Sequence, residues 1–302
     1  MSTAAQAAGG QQYPSGCLYV VATPIGNLAD LSLRAIHVLA LADVIACEDT
    51  RMTQRLLQHL GLQRRLLAVH EHNENTAAAD VLRCLQGGQR VVYVSDAGTP
   101  GVSDPGARLV RHVSDGGCRV MPIPGPSAPV TLMSVAGDVS AAGFAFAGFL
   151  PPKTQARREA LAAWLSHTGA VVLFESPHRI VDLAQDLAAL APTRRITVGR
   201  ELTKQFEDIA SMPAAQLPLW LNGADRQRGE FALVLHAPER DADAGSTLTA
   251  PVLKLLDALL EAGSLKDAAQ LVAEATGLPR KLVYDAALRR RQQGGDGGAA
   301  DT

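Results

Sequence analysis

Residues 90–106 read RVVYVSDAGTPGVSDPG, and they indicate the fold class because a strand pattern breaks there into a long loop. The apolar run over 91–94 contains the β-branched and aromatic residues that strands favour. Three glycines and two prolines follow, which fix the backbone shape and let a ligand approach closely. In an open α/β sheet, ligands bind at the carboxyl ends of the strands. This loop is therefore the first candidate for a binding site.

Short apolar runs alternate with helical patterns on both sides of this loop, which is typical of an α/β fold with a largely parallel sheet. The predicted strands cover residues 18–22, 44–47, 66–70, 91–95, 119–123, 144–148, 171–174, 196–200 and 231–235. The predicted helices cover residues 31–41, 53–60, 77–85, 107–114, 157–166 and 180–190. We expect some antiparallel pairing near the end of this region.

The segment Pro122-Ile123-Pro124-Gly125-Pro126-Ser127 divides the α/β region. Because proline has no backbone N–H to donate, three prolines so close together cannot continue a central strand. We therefore expect a rigid link at this point between an N-terminal α/β lobe, residues 17–122, and a second α/β lobe, residues 123–237.

The remaining segments differ from the α/β region in composition. Residues 1–16 and 292–302 are predicted to be disordered tails, and residues 238–250 form a polar linker. Residues 251–291 have a purely helical pattern, in which a serine cap and a glycine stop separate short helices. This helix-turn-helix-like unit is either a small helical cap or a nucleic-acid-binding unit.

Composition limits the function classes. A formal net charge of −2 and an isoelectric point near 6.4 argue against binding of nucleic acid through the overall charge. The four cysteines are widely spaced without a CxxC pair, which argues against a zinc knuckle or a disulfide framework. No apolar run approaches the ~18 residues of a membrane span, and no secretory signal pattern is present. The sequence thus indicates a cytoplasmic protein.

Two carboxylates and an arginine follow the strand over 44–47. Glu48, Asp49 and Arg51 lie at its predicted carboxyl end, where a carboxylate can transfer a proton and an arginine can contact a polar substrate. Asp49 also suits the N-cap of the next helix, a role that explains one residue of the cluster but not all. Glu48 and Asp49 are candidate catalytic residues, and Arg51 is a candidate substrate contact.

A second cluster follows a later strand. Glu175, His178 and Arg179 bring a carboxylate, an imidazole and a guanidinium to one predicted strand end, which suits acid–base catalysis and phosphate contact. Arg200 and Lys204 follow the next strand and are candidate contacts to substrate phosphates. For these last two residues, surface salt pairing is the alternative interpretation.

Several familiar sites are not supported. His70 and His72 have the spacing of a chelating pair, but no further histidine or cysteine is suitably placed, so we expect no catalytic metal. The sequence contains no GxGxxG, GxxxxGK[ST] or GxSxG motif. This argues against the usual dinucleotide, P-loop and serine-hydrolase sites.

Eight short blocks occur in order within residues 18–236. They read ATPIGNL (22–28), CEDTR (47–51), HEHNE (70–74), SDAGTPGVSDPG (95–106), PIPGPSA (122–128), FESPHR (174–179), GRELTK (199–204) and GEF (229–231). Each block is weak alone, but the ordered set resembles the tetrapyrrole methylase superfamily, the class III S-adenosylmethionine-dependent methyltransferases. The closer likeness is to its branch of small-subunit ribosomal RNA methyltransferases, which act on a cytidine 2′-hydroxyl in the decoding region of 16S rRNA.

The resemblance implies a two-lobed methyltransferase with S-adenosylmethionine between the lobes, usually a homodimer, acting on 16S rRNA within the 30S subunit. The residues that it places at the cofactor are Pro24, Asp96, Ala97, Gly98, Thr99, Val102, Ser127, Ala128 and Phe174. The chain has Ala97-Gly98-Thr99-Pro100 where tetrapyrrole-modifying members commonly have Gly-Gly-Asp-Pro. This departure weighs against a porphyrinoid substrate.

In the implied reaction, the oxygen of a ribose hydroxyl attacks the methyl group of the sulfonium in line. The protein must therefore align the two groups and accept a proton. Glu48, Asp49, Glu175 and His178 are the candidate acceptors, and the sequence does not rank them. Two alternatives stay open: a methyltransferase acting on a tetrapyrrole or a diphthamide precursor, and a non-catalytic RNA-binding protein of ribosome assembly. The basic residues of the helical unit favour RNA, and the intact loops favour an enzyme.

Overall fold

The structure is a computed structural model that describes residues 2–70, 73–239 and 248–295. The chain divides into two compact units, Met1–Ala237 and Pro238–Thr302. Within the described ranges, no helix is both long and apolar enough to cross a membrane.

The first half of the larger unit is a parallel β-sheet with helices packed on it. Its strands are β1 (Cys17–Val21), β2 (Val44–Cys47), β3 (Arg65–Ala68), β4 (Val91–Val94) and β5 (Arg119–Ile123). Its helices are α1 (Ser2–Ala8), α2 (Leu33–Leu41), α3 (Thr50–His59), α4 (Glu74–Gln86) and α5 (Ala107–Asp115). The strand order is β3-β2-β4-β1-β5 with parallel pairing. β2 and β4 are buried along their whole length, as continuous apolar runs require when helices cover both faces.

The second half is a mixed sheet. Its strands are β6 (Phe144–Phe149), β7 (Ala170–Glu175), β8 (Arg195–Arg200), β9 (Asp208–Pro213) and β10 (Phe231–Leu235). Its helices are α6 (Ala128–Ala136), α7 (Thr154–Leu165), α8 (Ile180–Leu190) and α9 (Leu217–Leu221). In the order β6-β7-β10-β8-β9, β6 and β7 pair in parallel and the other three pairings are antiparallel. The expected antiparallel pairing near the end of the region is therefore present.

Three elements of the second half have no counterpart among the predictions. β9 reads DIASMP, a short pattern with small and polar residues that carries little strand signal. α6 follows the proline-rich link and begins with Ala-Pro, which obscures its start, although proline is tolerated in the first helical turn. α9 is only one turn long.

The prediction of a disordered tail over residues 1–16 is wrong. Residues Ser2–Ala8 form α1, whose Ala4 and Ala8 are buried, and Tyr13 is buried behind it. The Tyr13 ring contacts His37 of α2 edge-on, with centroids 5.1 Å apart. Alanine is the best helix former and its small side chain allows close packing, so this segment joins the core of the first sheet.

The proline-rich link needs a smaller correction. Pro122 does not lie outside the sheet, because it pairs with Val20 as part of β5. β5 is the edge strand of its sheet, where a missing backbone donor can face away from the ladder. The break between the two halves therefore comes after Ile123.

The second unit is a three-helix cluster, formed by α10 (Ala250–Ala262), α11 (Leu265–Thr276) and α12 (Arg280–Gly295). The Ser264 hydroxyl accepts a hydrogen bond from the Asp267 backbone N–H at 3.2 Å, and Gly277 ends α11 in the left-handed conformation. The tail predicted over 292–302 is wrong at its start, because α12 continues through four more residues before the chain leaves the described range at 296. Residues 240–247 of the predicted linker lie outside the described residues, and α10 already begins at its last residue.

Candidate functional site

Three loops meet at the carboxyl edge of the first sheet, those after β1, β4 and β5. Thr23 and Gly98 exchange two backbone hydrogen bonds, of 2.8 and 3.1 Å. Thr99 Oγ1 donates to the Pro126 carbonyl oxygen at 2.9 Å. Because β1 lies between β4 and β5 in the sheet, the loops that follow them are neighbours and become tied together.

Gly98 occupies a position that strongly favours glycine. Its φ is +79°, in the left-handed region that other residues adopt at a cost. A Cβ added there would lie 3.2 Å from Ile25 Cγ2. The missing side chain therefore lets the loop after β1 approach the loop after β4.

The loop after β8 packs against the first of these loops. A Cβ added at Gly26 would lie 2.5 Å from Lys204 Cγ and 2.9 Å from Thr203 Oγ1. The same loop holds two non-glycine residues at positive φ, Glu201 at 52° and Thr203 at 66°. A positive φ is uncommon for a residue with a side chain, above all for a β-branched one such as Thr203. Backbone strain of this kind clusters at functional sites. The two halves of the larger unit thus contact each other beside the sheet edge.

These loops surround a cavity of about 410 Å³. This volume lies in the range of small-molecule sites, roughly 300–1,000 Å³. The apolar part of its wall includes Ile25, Val102, Phe149, Phe174, Leu202 and Phe231. Phe174 makes edge-on contacts with Phe146 and Phe149, at centroid distances of 5.0 and 5.7 Å. The wall can therefore take an apolar or aromatic group.

Seven of the nine residues expected at the cofactor line this cavity, and they are Ala97, Gly98, Thr99, Val102, Ser127, Ala128 and Phe174. Pro24 and Asp96 are not part of the wall. Asp96 Oδ1 instead accepts a hydrogen bond at 3.0 Å from the Asp49 backbone N–H. Its carboxylate therefore ties the loop after β4 to the start of α3.

Sequence reasoning missed a further set of wall residues. They are Ile25, Ser103, Asp104, Pro129, Phe149, Ser176, Pro177, Leu202, Glu230, Phe231 and Ala232. Many of them lie inside the eight sequence blocks, next to residues that were predicted to contact the cofactor. The blocks therefore located the wall, but could not say which side chains in each block face the cavity.

Asp49 is the N-cap of α3 and is paired with Arg51. Its carboxylate accepts from the Arg51 backbone N–H at 2.8 Å and from the guanidinium at 3.1 and 2.7 Å. Hydrogen bonding from the Arg51 side chain, followed by its backbone N–H, lowers the pKa of Asp49 to about 2. Neither residue lines the cavity, and neither does Glu48, whose pKa is raised by burial and by Asp96.

Of the four catalytic candidates, only Glu175 lines the cavity. Its side chain is fully buried, Oε1 accepts from the Ser176 backbone N–H at 2.8 Å, and Oε2 lies 3.2 Å from Arg179 Nη2. Arg179 also donates to the Leu150 carbonyl oxygen at 2.6 Å, so it connects two loops. Burial raises the pKa of Glu175, and the Ser176 N–H and Arg179 oppose that rise. His178 is exposed and lies outside the wall.

The two remaining basic candidates, Arg200 and Lys204, form hydrogen bonds or ion pairs with other residues of the chain. Arg200 Nε donates to the Arg228 carbonyl oxygen at 2.7 Å. Lys204 Nζ lies 2.9 Å from both Glu201 Oε1 and Glu230 Oε2. Neither basic residue lines the cavity. In the structure, both hold the loops around β8 and β10, which is the salt-pairing alternative for Lys204.

Asp104 lies in the wall of the cavity, at the end of the glycine-rich loop. Burial raises its pKa and Asp96 adds to the rise, while a hydrogen bond from Ser95 opposes it. Tyr93 is fully buried nearby, and its hydroxyl has no hydrogen-bond partner among the described residues. Burial, followed by the charges of Glu48 and other carboxylates including Asp104, raises the pKa of Tyr93. Acidic groups therefore gather on this side of the cavity.

The histidine pair gives no metal centre in the part of the chain that is described. His72 lies outside the described residues, and the loop at His70 is held by Asn73, whose Oδ1 accepts from the His70 backbone N–H at 2.8 Å. Across residues 2–70, 73–239 and 248–295, no group of three His, Cys, Asp or Glu side chains is placed to hold a metal ion.

Comparison with known protein families gives two matches along the chain. Residues 17–218 match the family of tetrapyrrole (corrin/porphyrin) methylases. Residues 246–291 match the RsmI C-terminal HTH domain. The first match covers most of the larger unit and the second covers the helical unit.

Curated relatives match nearly the whole chain. A ribosomal RNA small subunit methyltransferase I from Neisseria meningitidis serogroup B is 45% identical over 275 residues, covering 90% of this chain and 93% of its own length. The protein of the same name from Escherichia coli O157:H7 is 44% identical over 281 residues, covering 91% of this chain and 96% of its own.

Solved structures share the fold at much lower identity. The methyltransferase CobJ is 19% identical, with a TM-score of 0.56 over 76% of this chain and 97% of that chain. A uroporphyrin-III C-methyltransferase from Thermus thermophilus, complexed with S-adenyl homocysteine, is 18% identical, with a TM-score of 0.51 over 72% of this chain and 96% of that chain. These likenesses show the fold.

Proposed function

The chain belongs to the tetrapyrrole methylase family, in its branch of ribosomal RNA small subunit methyltransferase I, and from this premise we propose that it methylates the 2′-hydroxyl of a cytidine in the decoding region of 16S rRNA. It is an S-adenosylmethionine-dependent methyltransferase. The observation that carries the proposal is that one set of relatives matches the α/β unit and the helical unit together, over about nine-tenths of the chain.

The cavity wall suits the methyl donor. S-adenosylmethionine supplies an electrophilic methyl group when it is bound. Gly98 has no side chain, so a ligand can come close to its backbone. Ile25, Phe174 and Leu202 offer an apolar surface for an adenine ring. Ser127 adds a hydroxyl for a polar group of the ligand. We propose that these residues hold the cofactor.

The charge distribution supports an RNA substrate. The whole chain carries a formal net charge of −2, yet α12 holds five basic side chains and one acidic one. Lys281, Tyr284, Leu288 and Arg291 are exposed at helical spacing on this helix, so a cation, an aromatic ring and a second cation share one face. A basic face with an interleaved aromatic residue suits phosphates and stacked bases.

We propose that a second copy of the chain covers the outer edge of the second sheet. β6 is an edge strand, and the large apolar side chain of Phe144 on it is 44% exposed. Val130 and Val135 of α6, a helix that packs on β7 and β10 of the same sheet, are 57% and 55% exposed. Exposed apolar surface of this kind marks a protein interface. Sedimentation of the protein and of Val135→Asp tests this homodimer, and a monomeric wild type would contradict it.

We further propose that the enzyme works in the cytoplasm on the 30S subunit rather than on bare rRNA. The low overall charge supports this choice, because phosphate attraction alone would hold free RNA weakly. A preformed particle presents a fixed shape in addition to phosphates. Binding to free rRNA should therefore fall more steeply with salt than binding to the subunit.

One transfer experiment tests the function. The purified protein is incubated with methyl-labelled S-adenosylmethionine and, in separate reactions, with 30S subunits, free 16S rRNA and uroporphyrinogen. We expect label in the rRNA of 30S subunits, and digestion to nucleosides should place it on a cytidine ribose. Label on a base would correct the proposal, and label on uroporphyrinogen alone would replace it with the tetrapyrrole alternative.

A further inference from the structure

Three carboxylates line the cavity, and two of them are paired with a cation. Glu175 lies 3.2 Å from Arg179, and Glu230 lies 2.9 Å from Lys204. In the described part of the chain, Asp104 forms no ion pair; its carboxyl group has a hydrogen bond with the Ser95 side chain and lies near other carboxylates. Asp104 is therefore the wall carboxylate whose negative charge is available to a ligand.

The backbone holds Asp104 in a fixed place. Ser103, directly before it, has a φ of +61°, which a non-glycine residue keeps only when the surroundings enforce it. A Cβ added at Gly148 would lie 3.0 Å from Ser103 Oγ, so the β6 bulge lies close against this turn. Gly106, two residues after the aspartate, has a φ of +125°. The turn that carries the carboxylate is thus constrained on both sides.

The surroundings raise the proton affinity of this carboxylate. Burial and the charge of Asp96 raise the pKa of Asp104, with Ser95 opposing them. Glu48 lies in the same acidic group, and the buried Tyr93 hydroxyl beside it has no partner among the described residues. A base is most effective when its pKa lies near the working pH, so this environment strengthens a carboxylate that would otherwise be a weak base.

We propose that Asp104 is the catalytic base, whose carboxylate takes the proton of the ribose 2′-hydroxyl during methyl transfer. This inference rests on the proposed function and adds a residue to it. Asp49 has a lowered pKa and caps a helix, Glu175 is paired, and His178 and Glu48 lie outside the wall. None of the four candidates from sequence therefore combines a place in the wall with a free charge.

The step balances in atoms and electrons. The ribose oxygen forms a bond to the methyl carbon while the carbon–sulfur bond breaks, and its electron pair stays on sulfur. The hydroxyl proton passes to Asp104 as the oxygen loses electron density. The products are a methyl ether, a neutral thioether and a protonated Asp104, which returns its proton to water.

The main test compares Asp104→Asn with Asp115→Asn, an exposed aspartate on α5, in single-turnover methylation of 30S subunits by the full-length enzyme. General base catalysis contributes roughly 10²–10⁴-fold, so we expect Asp104→Asn to lose at least about 100-fold in rate at pH 7. The control should keep the wild-type rate. Affinity for S-adenosylhomocysteine, measured by calorimetry, should stay the same in both variants, because the lost group acts on the hydroxyl.

Two further measurements separate a base from a structural residue. Formate added to Asp104→Ala should restore part of the rate, because a small carboxylate can occupy the vacated place. In wild-type protein labelled with ¹³C at the aspartate carboxyls, the Asp104 resonance should titrate above the ordinary pKa of about 3.9. The spectrum of Asp104→Asn assigns that resonance.

The outcomes distinguish the inference from the proposed function. If wild type methylates 30S subunits and Asp104→Asn keeps its rate, or if Asp104 titrates at or below the ordinary value, the assignment is wrong while the function stands. If wild type transfers no methyl group to rRNA in any form, the proposed function itself is wrong. The titration is measured on the wild-type protein, whose Asp104 resonance can also be assigned through its own backbone, so an ordinary or lowered pKa overturns the assignment even if both substitutions impair folding.

Discussion

The loops that follow β4 and β7 each contribute an acidic residue to the wall of the same cavity, but only the one after β7 has a cation as its partner. After β7, Glu175 is fully buried and pairs with Arg179 four residues later. After β4, Asp104 is half-buried and faces other carboxylates. A buried, paired carboxylate supports the architecture, whereas an unpaired one at the wall is free to take a proton. The charged partners of a carboxylate, more than its position at a strand end, therefore decide its role.

The largest effect is expected from removal of the cation that follows β7, Arg179. We expect Arg179→Met to cost about 3–5 kcal/mol of the free energy of unfolding, because it leaves a buried charge uncompensated. Burial already raises the folded-state pKa of Glu175, and without the cation that pKa rises further above its unfolded value. The destabilisation should therefore be full at neutral pH and shrink as the pH falls toward about 4.3. Urea unfolding at several pH values measures it.

The matched control is the double variant Arg179→Met/Glu175→Gln. Replacing the charge by a neutral amide should recover a large part of the lost stability, although the bond from Arg179 to the Leu150 carbonyl oxygen stays lost. If the double variant is as unstable as the single one, Arg179 acts through its carbonyl contacts and the charge difference between the two loops is unimportant.

A pair of glycine substitutions tests how rigid the loop after β4 is. Gly98 and Gly101 have nearly the same φ, +79° and +82°, but only Gly98 has a neighbour within 4 Å of an added Cβ. The left-handed conformation should cost each alanine variant about 1–2 kcal/mol of stability. Gly98→Ala should additionally weaken S-adenosylhomocysteine binding, and Gly101→Ala should not. Equal affinities in calorimetry would show that the close approach at Gly98 is irrelevant to the site.

The smallest effect concerns a third strand end, after β2, where a carboxylate is paired but more open to solvent. Asp49→Asn keeps a good N-cap and removes the charge that faces Arg51. The pKa of Asp49 is lowered to about 2, so its charge contributes stability above the unfolded value of about 3.9, and that contribution is lost as the pH falls through about 2. We expect a small drop in melting temperature at neutral pH that vanishes near pH 2. A constant drop would contradict it.

The sequence predicts much of the fold because the local signals are strong. Continuous apolar runs mark β2 and β4, and every predicted strand corresponds to an observed one. The tail shows where this fails, since its short alanine side chains give only a weak hydrophobic signal, although Ala8 packs into the core of the first sheet. Burial that depends on a distant partner leaves no local signal.

For the candidate site too, the sequence predicts one part, the position of the wall, and not the other, the role of each charged residue. Glycine, proline and small residues in the loops after β1, β4 and β5 identify the wall, because close backbone approach needs those residue types locally. Catalytic roles depend on which charges meet, and the sequence could not decide whether Arg179 would bind a phosphate or Glu175. Asp104 lies within the glycine-rich stretch over residues 95–106, but nothing in the local sequence marks it as the unpaired carboxylate.

The bonds that tie the three loops together have a thermodynamic consequence. Thr23 and Gly98 are joined through backbone atoms, and Thr99 is joined to the Pro126 carbonyl. The conformational entropy of these loops is therefore lost when the chain folds, before any ligand arrives, and binding needs less ordering. The backbone amides of Thr23 and Gly98 should exchange with solvent deuterium about as slowly in the free protein as in the complex. This side of the cavity is therefore preorganised for a ligand.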